Sequence, residues 1–202
     1  MDEILKGFFV VEGLDGAGTT TQLRLSASAI SRQGLKVLTT CEPTDGPIGR
    51  LIRRILRGEE QSSAEALAYL YAADRLDHIN LCIRPSLGKG SLVISDRYFF
   101  SSMAYQGLAL PFEKIATLNA GFPYPQAVFY VDTPVSECLK RINNRGEKKE
   151  IFEKGVTLEK VRANYERAFS LLPAEVRLVR LDGLKSAQEI CDEIVSTILS
   201  LN

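Results

Sequence analysis

The stretch VVEGLDGAGTTTQ, Val10 to Gln22, has the frame of a loop that wraps phosphate, with Gly13 and Gly18 placed as G-x-x-x-x-G. In such a frame the backbone from Gly13 through Gly16, Ala17, Gly18, Thr19, Thr20 and Thr21 turns its N–H groups toward an anion, aided by the positive end of the following helix. The residue after Gly18 is a lysine in this pattern, and here it is Thr19. Thr20 takes the position whose hydroxyl ligates Mg²⁺. A glycine-rich turn that binds nothing is the competing reading.

Three further groups offer matching chemistry. In DRYFFSSMAYQG, Asp96 can hold Mg²⁺ through water and Arg97 can grip a phosphate with two parallel N–H donors. A structural Asp–Arg pair at a strand end explains the same dipeptide. Tyr71 and Arg75 lie four apart on one helix face, where a ring and a guanidinium can meet one base. A buried tyrosine beside a surface arginine would look the same. Arg141, Arg145, Lys148 and Lys149 gather positive charge across a helix end and a polar segment, which suits either a phosphate lid or a solvated face. His78, the one histidine, is given no catalytic role.

The elements that must hold these groups alternate. FFVVEG, KVLTT, SLVISD, AVFYVD and VRLVRLD read as strands, and helical segments separate them. The helix after the glycine loop stops at Gly34, and Pro47 opens a basic helix closed by Gly58. Ser62 with Glu65 predicts a capping box for a long helix running to about Arg84. Pro111 opens a short helix, Thr157 a later one, and Ser186 with Glu189 caps the last. Residues 143–155 read as a mobile surface segment, polar and flanked by glycine. This order predicts an α/β protein, a three-layer fold with a central parallel sheet of about five strands between helices. Ligands in such sheets bind beyond the carboxyl ends of the strands, which brings Asp96 and Arg97 to the glycine loop. With no repeat and no linker tract, residues 1–202 are expected to form one domain.

Composition narrows the partners. The chain has 25 Lys and Arg against 25 Asp and Glu, so no bulk field draws it to nucleic acid or anionic lipid. Its N-terminal apolar run is too short for a signal peptide, and no run approaches the length of a membrane span. Cys41, Cys82, Cys138 and Cys191 fit no C-x-x-C pattern and read as small hydrophobes. The cytoplasm is the expected location.

Taken together, VEGLDGAG, EPTDGPIG, AADR, DRYFFSSMAYQG, RGEKKEIFE and VRANY resemble the thymidylate kinase family in order along nearly the whole chain. The resemblance implies a P-loop kinase fold, a short lid at roughly residues 141–155, a homodimer, Mg²⁺, and phosphoryl transfer from ATP to dTMP. It places Asp15 near the acceptor and the metal, and Arg97 between donor and acceptor phosphates. Glu42, Tyr71, Arg75, Ser102, Tyr105 and Gln106 fall among the acceptor contacts. Tyr71 stacks on thymine, Arg75 reads a base carbonyl, and Tyr105 lies under the sugar. Arg145 matches the lid arginine of members whose loop lacks one, and Gly16 holds that loop position here. Two departures each remove a positive charge: Thr19 replaces the loop lysine, and Cys41 replaces an arginine before Glu42–Pro43. Arg145, helped by a lid lysine, is expected to take over part of the lysine's work. A kinase for another deoxynucleotide or nucleoside, and a weakly catalytic regulatory protein, are the alternatives.

Overall fold

The structure is a computed structural model that describes residues 3–144 and 155–202. Among these, the strands β1 (Ile4–Gly13), β2 (Val37–Cys41), β3 (Leu92–Asp96), β4 (Tyr124–Asp132) and β5 (Arg177–Asp182) form one sheet in the order β2-β3-β1-β4-β5. Every pairing is parallel. Strands of a parallel sheet are covered on both faces, so the central ones must be apolar throughout. Phe8 to Val11, Leu92 to Ile94 and Ala127 to Val131 meet that demand and are all buried. β1 begins earlier than FFVVEG suggests, and its register shifts between Leu5 and Phe9, where Gly7 has a positive φ.

Helices fill both faces: α1 (Thr19–Arg32), α2 (Pro47–Leu56), α3 (Ala64–His78), α4 (Arg84–Gly88), α5 (Phe99–Gln106), α6 (Phe112–Asn119), α7 (Val135–Asn144), α8 (Gly155–Phe169) and α9 (Ala187–Leu201). α1 packs beside α9, and α5 beside α8. The expected box on Ser186 and Glu189 forms in full. The one on Ser62 does not: Ser63 is the cap, its hydroxyl accepting from Ala66 N at 3.1 Å. The long helix ends at His78 and widens into a π turn over Ile79–Ile83 before α4. Pro85, near the start of α4, has no N–H to continue the regular ladder, which accounts for the widened turn. α8 starts two residues before Thr157. No helix among the described residues is long and apolar enough to cross a membrane.

Register decides what this scaffold can do. Val11 and Cys41 both lie opposite Asp96, and Gly13 lies opposite Val131. The carboxyl ends of β1, β2, β3 and β4 therefore line up. The glycine loop, Glu42 and Arg97 all leave the sheet at that edge.

Candidate active site

The glycine loop turns through two left-handed residues, Gly16 (φ 83°) and Gly18 (φ 104°), before α1 begins. A side chain at position 16 would start 2.6 Å from the Cys138 carbonyl on α7, so the packing of that helix leaves no room for a loop arginine. No side chain caps the N-terminus of α1, which leaves its first N–H groups to an anion. Thr19, the first residue of α1, is 6% exposed and uncharged. Thr20 donates its hydroxyl proton to Asp96 Oδ2 at 2.6 Å, while Asp96 Oδ1 is buried without a partner. That open oxygen and the Thr20 hydroxyl suit a hard cation that takes its remaining oxygens from phosphate and water. No cluster of three or more metal-binding side chains exists among the described residues. Arg141 lies along the loop, donating to Ala17 O and Gly183 O at 3.2 and 3.1 Å while its Nε bonds Glu137. Arg145, Lys148 and Lys149 lie outside the described residues.

Arg97 occupies the left-handed region with φ 71°, a strained position for a non-glycine residue. Its N–H donates to Val11 O, and its carbonyl accepts from the Ser95 hydroxyl. This backbone turns the guanidinium back across the end of β1. There Nη1 donates to Gly13 O, Ser101 Oγ and Tyr165 OH at 3.0 to 3.1 Å, and Nη2 pairs with Asp15. The Asp15 N–H donates to the Tyr105 hydroxyl at 3.0 Å, and the guanidinium lies over the Tyr105 ring. Asp15, expected near the metal, is thus held by Arg97.

Two cavities open here. The larger, about 640 Å³, is lined by the loop, Thr19, Thr20, Thr21, the end of β2 and Asp96. The smaller, about 200 Å³, is lined by Tyr71, Arg75, Ser102, Tyr105 and Gln106 among others. Asp15, Glu42, Arg53 and Arg97 belong to both walls. In the smaller cavity Gln106 is 7% exposed, and both atoms of its amide lack a hydrogen-bond partner. An unpaired buried amide costs about 1–3 kcal/mol, which a ligand with matching donor and acceptor recovers. Arg75 is 1% exposed and mostly committed to protein: Nε donates to Glu42 and Nη2 to Ser102, both at 2.9 Å, and Nη1 donates to Asn119. One Nη1 proton is left for a ligand. Glu42 also meets His78 Nδ1 at 2.9 Å, and His78 Nε2 meets the Thr40 hydroxyl at 2.7 Å. The histidine thus braces the wall between the cavities.

Three described residues with a place in this site are given no role in the sequence reading, although Glu12 and Tyr165 fall within VEGLDGAG and VRANY. Arg53, on α2, approaches the Cys41 sulfur at 3.5 Å and pairs with Asp45 at 3.1 Å. It brings a guanidinium close to the position where Cys41 lacks one. The helical spacing from Pro47 signals that Arg53 faces inward, but only the fold shows that it reaches back to β2. Glu12 and Tyr165, buried beneath Arg97, carry no motif that marks them as polar partners of an arginine.

A family model described as thymidylate kinase matches residues 11–194. The chain belongs to the thymidylate kinase family. It is 42% identical over 200 residues to a probable thymidylate kinase of Thermococcus onnurineus, covering 95% of this chain and 96% of that protein. It is also 42% identical over 202 residues to a probable thymidylate kinase of Pyrococcus horikoshii, covering 96% and 97%. The matched residues include the walls of both cavities described above.

Proposed function

We propose that the chain transfers the terminal phosphoryl group of ATP to the phosphate of dTMP, giving dTDP and ADP for dTTP synthesis. The observation that carries this reading is the unpaired Gln106 amide in the wall of the smaller cavity, which shares Arg53 and Arg97 with the phosphate loop's cavity. Thymine presents a ring N–H between two carbonyls, an edge that an amide oxygen and NH₂ group can both satisfy. Tyr71 supplies a face for the ring, Ser102 and the remaining Arg75 proton address the same edge, and Tyr105 lies under the sugar.

The acceptor is itself a phosphate, so no general base is needed, and catalysis rests on alignment and charge. The loop N–H groups hold the donor phosphates, Arg97 bridges donor and acceptor, and Arg53 holds the acceptor phosphate in place of an arginine at position 41. Thr20 and Asp96 would hold Mg²⁺, with Asp15 beside it. When bound, the ion neutralises charge on the donor oxygens. Arg145, with Lys148 and Lys149, closes over the donor as a lid, and Arg141 completes the donor side. The whole chain acts as one domain in the cytoplasm, as a homodimer. The exposed Tyr69, Leu76 and Leu81 along α3 and the turn after it support an apolar contact with a second copy.

An ATP-coupled assay with dTMP, run beside dUMP and thymidine, tests the reading. dTDP is the expected product, and its absence at high enzyme concentration overturns it.

A further inference from the structure

Glu12 is the last side chain of β1 before the loop. It is fully buried and belongs to neither cavity wall. An isolated buried carboxylate is costly, so its contacts need a reason. One oxygen, Oε1, accepts the Tyr98 N–H at 2.8 Å, one residue beyond the strained Arg97. The other, Oε2, accepts the Ser101 hydroxyl at 2.6 Å and the Tyr165 hydroxyl at 2.9 Å. Those two hydroxyls are the ones that Arg97 Nη1 reaches at 3.1 Å. The carboxylate therefore grips Arg97 twice, through the backbone that follows it and through two hydroxyls under its guanidinium.

We propose that Glu12 is a positioning residue for phosphoryl transfer, its carboxylate setting the orientation of Arg97 through Ser101 and Tyr165. The inference rests on the kinase reading above. Each hydroxyl has one proton. When Glu12 is ionised, both protons point at it, and both oxygens offer lone pairs to Arg97. When Glu12 is protonated, its own O–H must donate to one of these hydroxyls. The displaced proton then turns to the other hydroxyl, 2.8 Å away, or to Gly13 O, 3.1 Å from the Tyr165 hydroxyl, and Arg97 Nη1 already donates to each of these oxygens. Protonation thus sets a hydroxyl proton against Arg97 for an acceptor that both use.

Burial pushes the Glu12 carboxyl up to about 7, against the lowering pull of Ser101, Arg97 and Tyr165. The charged and titratable groups around it are Arg97 and Asp96 at the end of β3, Asp15 of the loop, Tyr98 and Tyr105 at and beyond the start of α5, and Tyr165 of α8. The Tyr105 and Tyr165 hydroxyls are held far above their ordinary range, chiefly by burial. Burial thus brings the Glu12 carboxyl toward neutrality while it moves these two hydroxyls further from it.

The test is steady-state kinetics of Glu12→Gln and Tyr165→Phe with ATP and dTMP across pH 5.5–9. Glu12→Gln is expected to lower kcat about 10²-fold with both KM values changed less than about threefold. It is also expected to abolish the limb of the kcat profile near pH 7. Tyr165→Phe keeps the ring against Phe169 and Tyr130. It is expected to lower kcat about tenfold, so it decides the matter if Glu12→Gln does not fold. Wild-type kcat, or a wild-type pH limb in both folded variants, overturns the proposal. A wild-type enzyme that makes no dTDP overturns the kinase reading instead, so the two failures are distinct.

Discussion

Position 19 is where the charge balance of the site can be tested directly. Among the described residues the larger cavity is lined by two cations, Arg53 and Arg97, and each already faces a carboxylate, Asp45 or Asp15. Arg141 along the loop is likewise committed, to Ala17 O, Gly183 O and Glu137, so Arg145 is the proposed further source of charge for the donor phosphates. Thr19→Lys would introduce an ammonium at the first residue of α1, with the cavity as the outlet for its chain. A unit charge about 4 Å from another, at an effective dielectric of about 20, is worth about 4 kcal/mol. That corresponds to roughly 10³ in rate. If Arg145 already supplies this stabilisation, Thr19→Lys alone changes kcat less than about tenfold, and Arg145→Ala alone lowers it about 10³-fold. The double variant then recovers most of the loss, a coupling of about 4 kcal/mol in a double-mutant cycle. Single-turnover kinetics with ATP and dTMP measure the chemical step, and thermal melts show that each variant is folded. A Thr19→Lys enzyme faster by 10³-fold or more, beside an unaffected Arg145→Ala enzyme, would refute compensation by the lid.

Other perturbations separate the remaining roles. Gln106→Leu removes the unpaired amide and is expected to lower kcat/KM for dTMP about 10–10²-fold while KM for ATP is unchanged in initial-rate assays. Arg53→Ala, next to Cys41, is expected to raise KM for dTMP more than KM for thymidine offered as an alternative acceptor, since only the nucleotide carries the phosphate that Arg53 is proposed to hold. Arg75→Met leaves Glu42 buried without its arginine and is expected to cost about 3–5 kcal/mol of stability in urea unfolding. The folded protein holds the Glu12 proton up to about pH 7, whereas the unfolded chain releases it near the ordinary 4.5. Between these values the folded state binds more protons, so the Glu12 contribution to stability is fully present below about 4.5 and is lost as pH rises through 7. The fall is about 3 kcal/mol, and Glu12→Gln should flatten it in melts taken across that range.

The parts of the molecule legible in the sequence are those with a local signature. Phe8 to Gly13 and Leu92 to Asp96 read as strands because both faces of a parallel sheet are covered, which forces continuous apolar runs. Ser186 and Glu189 signal their box because both partners lie within one turn. Ser62 misleads for the same local reason: two adjacent serines precede α3, and only the entry angle of the chain selects Ser63. The π turn after His78 likewise depends on how the chain meets Pro85. Among the site residues, Gly13 to Thr21, Asp96 and Arg97 carry spacing that can be read. Arg53 does not, because its value lies in reaching Cys41 across twelve residues. Glu12 does not either: it sits inside an apolar strand, and its partner Tyr165 is 153 residues away.

The two charges missing from the familiar motifs are met by different physical means. At Cys41 a neighbouring helix brings Arg53 to the same wall of the larger cavity, so the positive charge is fixed before any ligand arrives. Position 19 itself offers a hydroxyl and backbone N–H groups but no charge, and Arg141 along the loop is already committed to Ala17 O, Gly183 O and Glu137. A fixed cation strengthens binding of ground state and transition state alike, whereas one delivered by a closing segment acts only once the donor is in place. Loss of the acceptor-side charge should therefore appear mainly in KM for dTMP. Loss of the donor-side charge should appear mainly in kcat. Arg53→Ala and Arg145→Ala, compared under the same conditions, should thus divide between the two constants. An equal effect of both variants on both constants would mean that the two sites share one pool of charge.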